Sequence, residues 1–235
     1  MLLNKMYIKH EVLQFIARHL ILHGSFVKDV GLLEGKMGVA IFFYHYAAYI
    51  NKRLYNDFAG ELIDEIYNEI GLNNSFDFKG GFTGIAWALL YLIRNKFVDA
   101  DPNEILEDLD KKILEWDVRY ITDISLETGL VGLAHYVIYR YSNKDDKNCS
   151  IPYNYISELA TSIKLKINEK NLNYHVIDNL TIILSGKQIS TIENPLYQFY
   201  RNNTFKEDSF SHIDYPLGIS NNGLAGVGMN LMKIR

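Results

Sequence analysis

Two kinds of apolar segment alternate along the chain. Segments of the first kind open with two glycines three residues apart and then stay apolar, as in residues 81–93. Segments of the second kind carry apolar residues only at every third or fourth position, as in residues 155–169 with Ile156, Leu159 and Ile163. The second pattern predicts amphipathic helices, and the first predicts helices that are covered on every side. We therefore expect an all-α fold.

The Gly-x-x-Gly motif recurs at a fixed period. It occurs as Gly35-Lys36-Met37-Gly38, Gly81-Phe82-Thr83-Gly84, Gly129-Leu130-Val131-Gly132 and Gly223-Leu224-Ala225-Gly226. The second glycines are separated by 46, 48 and 94 residues, and the last interval is twice 47. A fifth repeat without glycines is therefore predicted near residue 179, in the apolar stretch 179–184. A period of this size indicates a repeat architecture, with one helix pair in each repeat.

The amphipathic segments fall between the glycine motifs. They cover residues 7–22, 55–70, 103–116 and 155–169, with a weaker one at about 194–201. The third is expected to have Asp101 as its N-cap and Pro102 in its first turn, where a missing N–H costs little. Its predicted buried stripe consists of Ile105, Leu109, Ile113 and Trp116. Residues 175–189 are predicted as a helix or a short extended piece, and residues 201–216 as a long loop.

The alternation of fully apolar and amphipathic helices predicts an α/α-barrel, or toroid. Apolar helices would form an inner ring of about five members, amphipathic helices an outer ring, and residues 1–235 a single domain. A linear solenoid of helix pairs is the alternative. In a ring the inner helices begin on one side, so their unpaired N–H groups would converge on one mouth where a binding or catalytic site is expected. The glycines would allow close packing and unusual backbone angles there.

Composition and charge narrow the function classes. The chain has 235 residues, 48% of them hydrophobic, with a net charge of -4, so it lacks the basic character of nucleic-acid-binding proteins. It has one cysteine, Cys149, which excludes an internal disulfide. No signal peptide or transmembrane run is recognisable. These features predict a soluble, cytoplasmic protein.

Several polar residues are candidates for chemistry, but none forms a recognisable catalytic set. His19 and His23 have a spacing that can place two ligands on a metal, without an apparent third ligand. His45 and His135 lie inside apolar segments and are predicted as core residues. The remaining candidates are Cys149, His212 with the neighbouring Asp208 and Asp214, and the surface loop pair Asp145 and Asp146. No nucleotide-binding loop or catalytic triad is present. No catalytic residue is assigned, and no metal or cofactor is expected.

The four glycine motifs resemble the inner-helix repeats of lanthionine synthetase C-like proteins, a family that includes the cyclases of lantibiotic biosynthesis. The similarity extends in phase from about residue 30 to the end of the chain. It implies an α/α-toroid with a zinc ion at its mouth. In the family that zinc activates a peptide cysteine thiol, which adds across a dehydroalanine or dehydrobutyrine and closes a thioether ring.

The chain departs from the family at the zinc ligands, which in the family are two cysteines and a histidine before the glycines of late repeats. Here the residues before the glycines are Leu33-Glu34, Lys79-Gly80, Glu127-Thr128 and Asn221-Asn222. Family toroids also commonly have seven inner helices. The resemblance thus predicts a zinc-free, catalytically degenerate protein associated with modification of a ribosomally made peptide, whose partner is the precursor peptide or a modifying enzyme. The alternatives are an active cyclase with a metal site built from His and Asp/Glu, and a non-enzymatic helical-repeat interaction module.

Overall fold

A computed structural model describes residues 2–71, 75–142, 149–167, 174–205 and 215–234. Within these ranges every regular element is helical, which confirms the all-α class. The elements are α1 (Leu2–His23), a 3₁₀ turn (Gly24–Phe26), α2 (Lys36–Ile50), α3 (Leu54–Glu69), α4 (Phe82–Arg94), α5 (Pro102–Leu114), α6 (Leu130–Arg140), α7 (Tyr153–Lys166), α8 (Tyr174–Leu184), α9 (Tyr197–Tyr200) and α10 (Leu224–Met232). None of them combines the length and apolar character needed to cross a bilayer.

The helices group into two compact units. The first comprises Met1–Leu72 with Asn194–Arg235, and the second comprises Asn73–Glu193. In the first unit α2 packs on α3, and α10 packs on both α1 and α2. In the second unit α4 packs on α5 and α6, while α7 and α8 pack on α6 and on each other. The N-terminal and C-terminal glycine motifs therefore belong to the same unit.

The burial of their residues confirms that largely buried helices alternate with helices that bury only one face. In α2, 11 of 15 residues are buried, whereas in α3 only Ala59, Leu62 and Ile66 are, of 16 residues. The other helices that follow a glycine motif, α4, α6 and α10, are buried over most of their length like α2. The fifth repeat near residue 179 is helical, as α8, but it is only amphipathic: residues 175, 178, 181 and 184 of this helix are exposed.

The predicted buried stripe of α5 is confirmed at Ile113 and wrong at Ile105 and Trp116, while Leu109 is half-buried. Ile105 and Trp116 are 43% and 42% exposed, and the buried side chains are Leu106, Asp110 and Ile113. The prediction depends on apolar residues alone, whereas the buried carboxylate of Asp110 shifts the buried face by part of a turn. The predicted start of this helix is confirmed, since the Asn103 N–H donates to Asp101 at 2.8 Å and Pro102 occupies the first turn.

A polar network inside the second unit explains why an aspartate faces inwards on α5. Asp110 and Arg140 are both fully buried, with Arg140 Nε 3.3 Å from Asp110 Oδ2. The hydroxyls of Tyr136 and Ser150 also donate to the Asp110 carboxylate, and Arg140 Nη2 donates to Asn103 Oδ1 at 2.9 Å. Buried charges need such partners to offset the loss of water. The network joins α5, α6 and the segment before α7.

Candidate functional site: the loops before the glycine motifs

Each glycine motif occupies one fixed position at the start of a helix. The N-caps of α2, α4, α6 and α10 are Gly35, Gly81, Gly129 and Gly223. The second glycine of each motif is the third residue of its helix. We call the segments that lead into these helices, residues 29–35, 75–81, 123–129 and 216–223, motif loops 1 to 4. The motif thus marks equivalent points in four repeats.

The N-cap glycines are required by space and not by backbone angle. Their φ values are -106, -96, -120 and -62, all accessible to any residue, so the expected unusual backbone angles are not found at these positions. A Cβ on Gly35, Gly81 or Gly129 would instead lie closer than 3.0 Å to the carbonyl oxygen of the residue six positions earlier. Each motif loop therefore folds back against the first turn of its own helix.

The folded-back loops occupy the N–H groups that begin the helices. The N–H of Lys36 donates to Asp29 O at 2.8 Å, and that of Leu130 donates to Asp123 O at 3.0 Å. In α4 the first three N–H groups donate to the carbonyls of residues 75, 76 and 77, and in α10 the first three donate to those of residues 216, 217 and 218. These first-turn donors, normally unpaired, are not open to a ligand. At α4 and α10, any ligand of the motif loops would therefore have to be held by side chains.

Aspartates brace three of the motif loops. Asp29 Oδ1 accepts from Gly31 N and Asp123 Oδ1 from Ser125 N, each at 2.7 Å, whereas Asp77 Oδ1 accepts from the N–H groups of residues 80 and 81. Burial tends to raise the pKa of Asp123, but hydrogen bonds from Thr128 and Ser125 outweigh it and lower the pKa overall. Sequence reasoning missed these residues. The available signal was an aspartate six residues before the first glycine in two motifs.

Motif loops pair with each other through main-chain atoms, in the same way in both units. In the second unit the N–H groups of Phe78 and Lys79 donate to Glu127 O at 3.1 and 2.8 Å. In the first unit those of Ile219 and Ser220 donate to Leu33 O at 2.7 and 3.0 Å. Both accepting residues lie two positions before an N-cap glycine. Motif loop 4 therefore packs on motif loop 1 as motif loop 2 packs on motif loop 3.

The side chains that precede the glycines do not fit the zinc site implied by the resemblance. Asn221 Nδ2 donates to Glu34 Oε1 at 2.7 Å, and Thr128 donates to the Asp123 carboxylate. Asn222 exchanges two hydrogen bonds with the main chain of Thr204. None of the residues at these positions supplies a sulfur or an imidazole, the ligands that structural and catalytic zinc prefers.

Lys36, inside the first motif, has a structural role. Its side chain is buried, and its Nζ lies 2.9 Å from Glu65 Oε2 and 2.7 Å from Glu69 Oε1. Burial acts to lower the pKa of Lys36, but the hydrogen bonds and charges of these two carboxylates raise it overall. The lysine stays charged and ties the start of α2 to the end of α3.

The histidine and cysteine candidates are dispersed. His45 on α2 and His135 on α6 are partly buried, and burial lowers the pKa of each to about 4, so both are neutral at pH 7. Burial also raises the pKa of the Cys149 thiol, which disfavours the reactive thiolate. His19 and His23 lie together on the last two turns of α1, with ring centroids 4.4 Å apart. Over the described ranges, no group of three or more His, Cys, Asp and Glu side chains is arranged to hold a metal ion.

Five further candidates, Asp145, Asp146, Asp208, His212 and Asp214, lie outside the described residues. The resemblance to lanthionine synthetase C-like proteins rests on the glycine motifs alone and stays a prediction. Comparisons of the chain with protein-family models, curated proteins and solved structures found no match.

Proposed function

We propose that this chain is a lanthionine synthetase C-like toroid protein that takes part in modifying a ribosomally made peptide without catalysing ring closure itself. It would bind the precursor peptide, or the enzyme that modifies it, through the side chains of the motif loops. The cytoplasm is the compartment that this function implies. The observation that carries the proposal is the equivalence of the two loop pairs, 1 with 4 and 2 with 3.

The pairing of motif loops 1 and 4 differs from what a linear solenoid of repeats would give. In a solenoid each repeat contacts only its neighbours, so the first and last repeats stay apart. Here Leu33 in the first motif loop accepts the same pair of main-chain hydrogen bonds from the last motif loop that Glu127 accepts from the second. Within the first unit, the first repeat therefore has the last repeat as its neighbour.

The side chains of the motif loops support the proposal that this protein does not catalyse thioether ring closure. Thioether formation needs a thiolate, and an ordinary cysteine at pH 7 carries only a few per cent of it unless a metal or a positive group lowers the thiol pKa. Glu34, Glu127 and Thr128 offer oxygen atoms, and the two carboxylates would disfavour a nearby thiolate by like-charge repulsion. Binding without activation is the function that these residues support best.

A binding and cyclisation assay tests the proposal. A fluorescent peptide with one cysteine and one dehydroalanine is titrated with the full chain, and anisotropy reports binding. Mass spectrometry after thiol alkylation reports ring closure. We expect saturable binding and ring closure no faster than in buffer.

The variant Glu34→Ala/Glu127→Ala should weaken the binding, because it removes the carboxylates of half-buried Glu34 and exposed Glu127 from two motif loops. Glu104→Ala/Glu107→Ala removes the same charge from the exposed face of α5 and serves as the control. Accelerated ring closure would instead establish an active cyclase. Failure to bind the peptide, or equal loss in both variants, would favour an interaction module with another partner.

A further inference from the structure

The last two turns of α1 carry a histidine pair that the proposed function does not use. His19 and His23 are four residues apart, so they share one helix face, and their ring centroids are 4.4 Å apart. Two imidazoles at this spacing on one helix are a known way to place two ligands on a single ion. The pair belongs to the first unit and is separate in sequence from all four motif loops.

An aromatic wall encloses one side of the pair. Phe15 lies one turn before His19, with ring centroids 5.9 Å apart, and Tyr215 approaches from the segment before α10, with its ring 5.6 Å from that of His19. The Tyr215 hydroxyl is buried and has no hydrogen-bond partner among the described residues. A buried hydroxyl without a partner carries a desolvation cost and indicates a missing water or ion.

The electrostatics of this place favour a cation. A metal ion binds the neutral form of an imidazole, which keeps a lone pair for it. His23 is the last residue of α1, and the helix dipole places partial negative charge at a helix C-terminus. The same feature would repel an anion.

We propose that His19 and His23 bind one divalent first-row transition metal ion, and that the Tyr215 hydroxyl hydrogen-bonds a water ligand of that ion. Imidazole ligands select zinc, nickel and copper over magnesium and calcium, which prefer oxygen. The ion would join the end of α1 to the segment that leads into motif loop 4. It is thus a structural site, distinct from the zinc centre implied by the family resemblance.

Calorimetric titration of the chelator-treated full chain with Zn²⁺ at pH 7.5 tests the site. We expect one ion per chain, a rise in melting temperature on zinc addition, and no response to Mg²⁺. His19→Gln/His23→Gln should abolish the saturable heat. The control His10→Gln changes an exposed histidine of the same helix and should bind as the wild type does.

Tyr215→Phe keeps the ring and removes only the hydroxyl, so it tests the second part of the proposal without endangering the fold. Outer-sphere hydrogen bonds to metal sites are worth about 10 to 100-fold in affinity, and we expect a loss of about tenfold. Circular dichroism of each variant reports folding. No saturable zinc binding by the wild type, or equal binding by the double-histidine variant, would overturn the site. Unchanged affinity in Tyr215→Phe would overturn the role of the hydroxyl. Neither result bears on peptide binding.

Discussion

Substitution of the second glycine in two motifs tests the packing of the motif loops. An alanine Cβ at Gly132 would lie closer than 3.0 Å to the Leu126 carbonyl oxygen and to Phe78 Cβ. At Gly38 the corresponding atoms are the Leu32 carbonyl oxygen, at 2.5 Å, and Ile219 Cγ1, at 3.0 Å. In both cases the helix meets its own motif loop and a side chain of the paired loop.

The cost can be worked from these distances. Carbon atoms pack at about 3.5–4.0 Å, so a loop main chain would have to move by about 1 Å. Overpacking of this kind costs about 1–3 kcal/mol, and we expect the upper end because the obstructing atoms include main-chain carbonyls. Alanine regains about 1 kcal/mol of helix propensity over glycine. The net loss should be about 2 kcal/mol, which lowers the melting temperature by about 4–8 °C in a chain of this size.

Gly60 provides the matched control. It lies inside α3, and the nearest atom to an added Cβ is the Tyr44 hydroxyl at 4.0 Å. Gly60→Ala should therefore stabilise the protein by about 0.5–1 kcal/mol. Thermal and urea unfolding, followed by circular dichroism, measure all three variants. If Gly38→Ala and Gly132→Ala unfold like Gly60→Ala, the close packing of the loops is wrong. If they differ strongly from each other, the two loop pairs are not equivalent.

Three further predictions concern other parts of the chain. Asp110→Ala should lower the free energy of unfolding in urea by about 3–5 kcal/mol, because it leaves Arg140 buried without a counter-charge. The double variant Asp110→Leu/Arg140→Met should recover most of this stability. An equal loss of stability in the two variants would contradict the role of the buried ion pair. Asp101→Ala should cost about 1 kcal/mol through the lost N-cap, and an unchanged urea midpoint would refute it. Because burial holds the pKa of His135 at about 4, against 6.5 ordinarily, the unfolded chain takes up a proton first as the pH falls from 6.5 towards 4. The free energy of unfolding should therefore fall by about 2 kcal/mol between pH 7 and pH 5 through this residue. His135→Gln should remove this decrease, and His10→Gln should retain it. An equal decrease in both variants would exclude the mechanism.

Helix positions were largely predictable because local rules decide them. The glycine motifs have one structural meaning, an N-cap and a third helical residue, and the apolar runs behind them are long enough to exclude strands. The assignment of Asp101 and Pro102 to the start of α5 succeeded for the same reason, since capping depends on neighbours in sequence.

The failures involve partners that are distant in sequence. The burial of Asp110 could not be predicted from the pattern of α5, because it depends on Arg140, Tyr136 and Ser150, which lie 26 to 40 residues further along the chain. The pairing of motif loops was not visible either, because main-chain hydrogen bonds leave no mark on side-chain pattern. The candidate site likewise could be located at the helix starts, but the occupation of their first N–H groups could not be anticipated.

The main-chain character of the loop pairs has a consequence for engineering. The carbonyl of Glu127 holds motif loop 2 whatever side chain this exposed position carries, so substitutions there should leave the framework intact. Glu127 can therefore be exchanged for cysteine or histidine with little effect on folding. The chain would then serve as a scaffold into which a metal centre is installed by design, one ligand at a time.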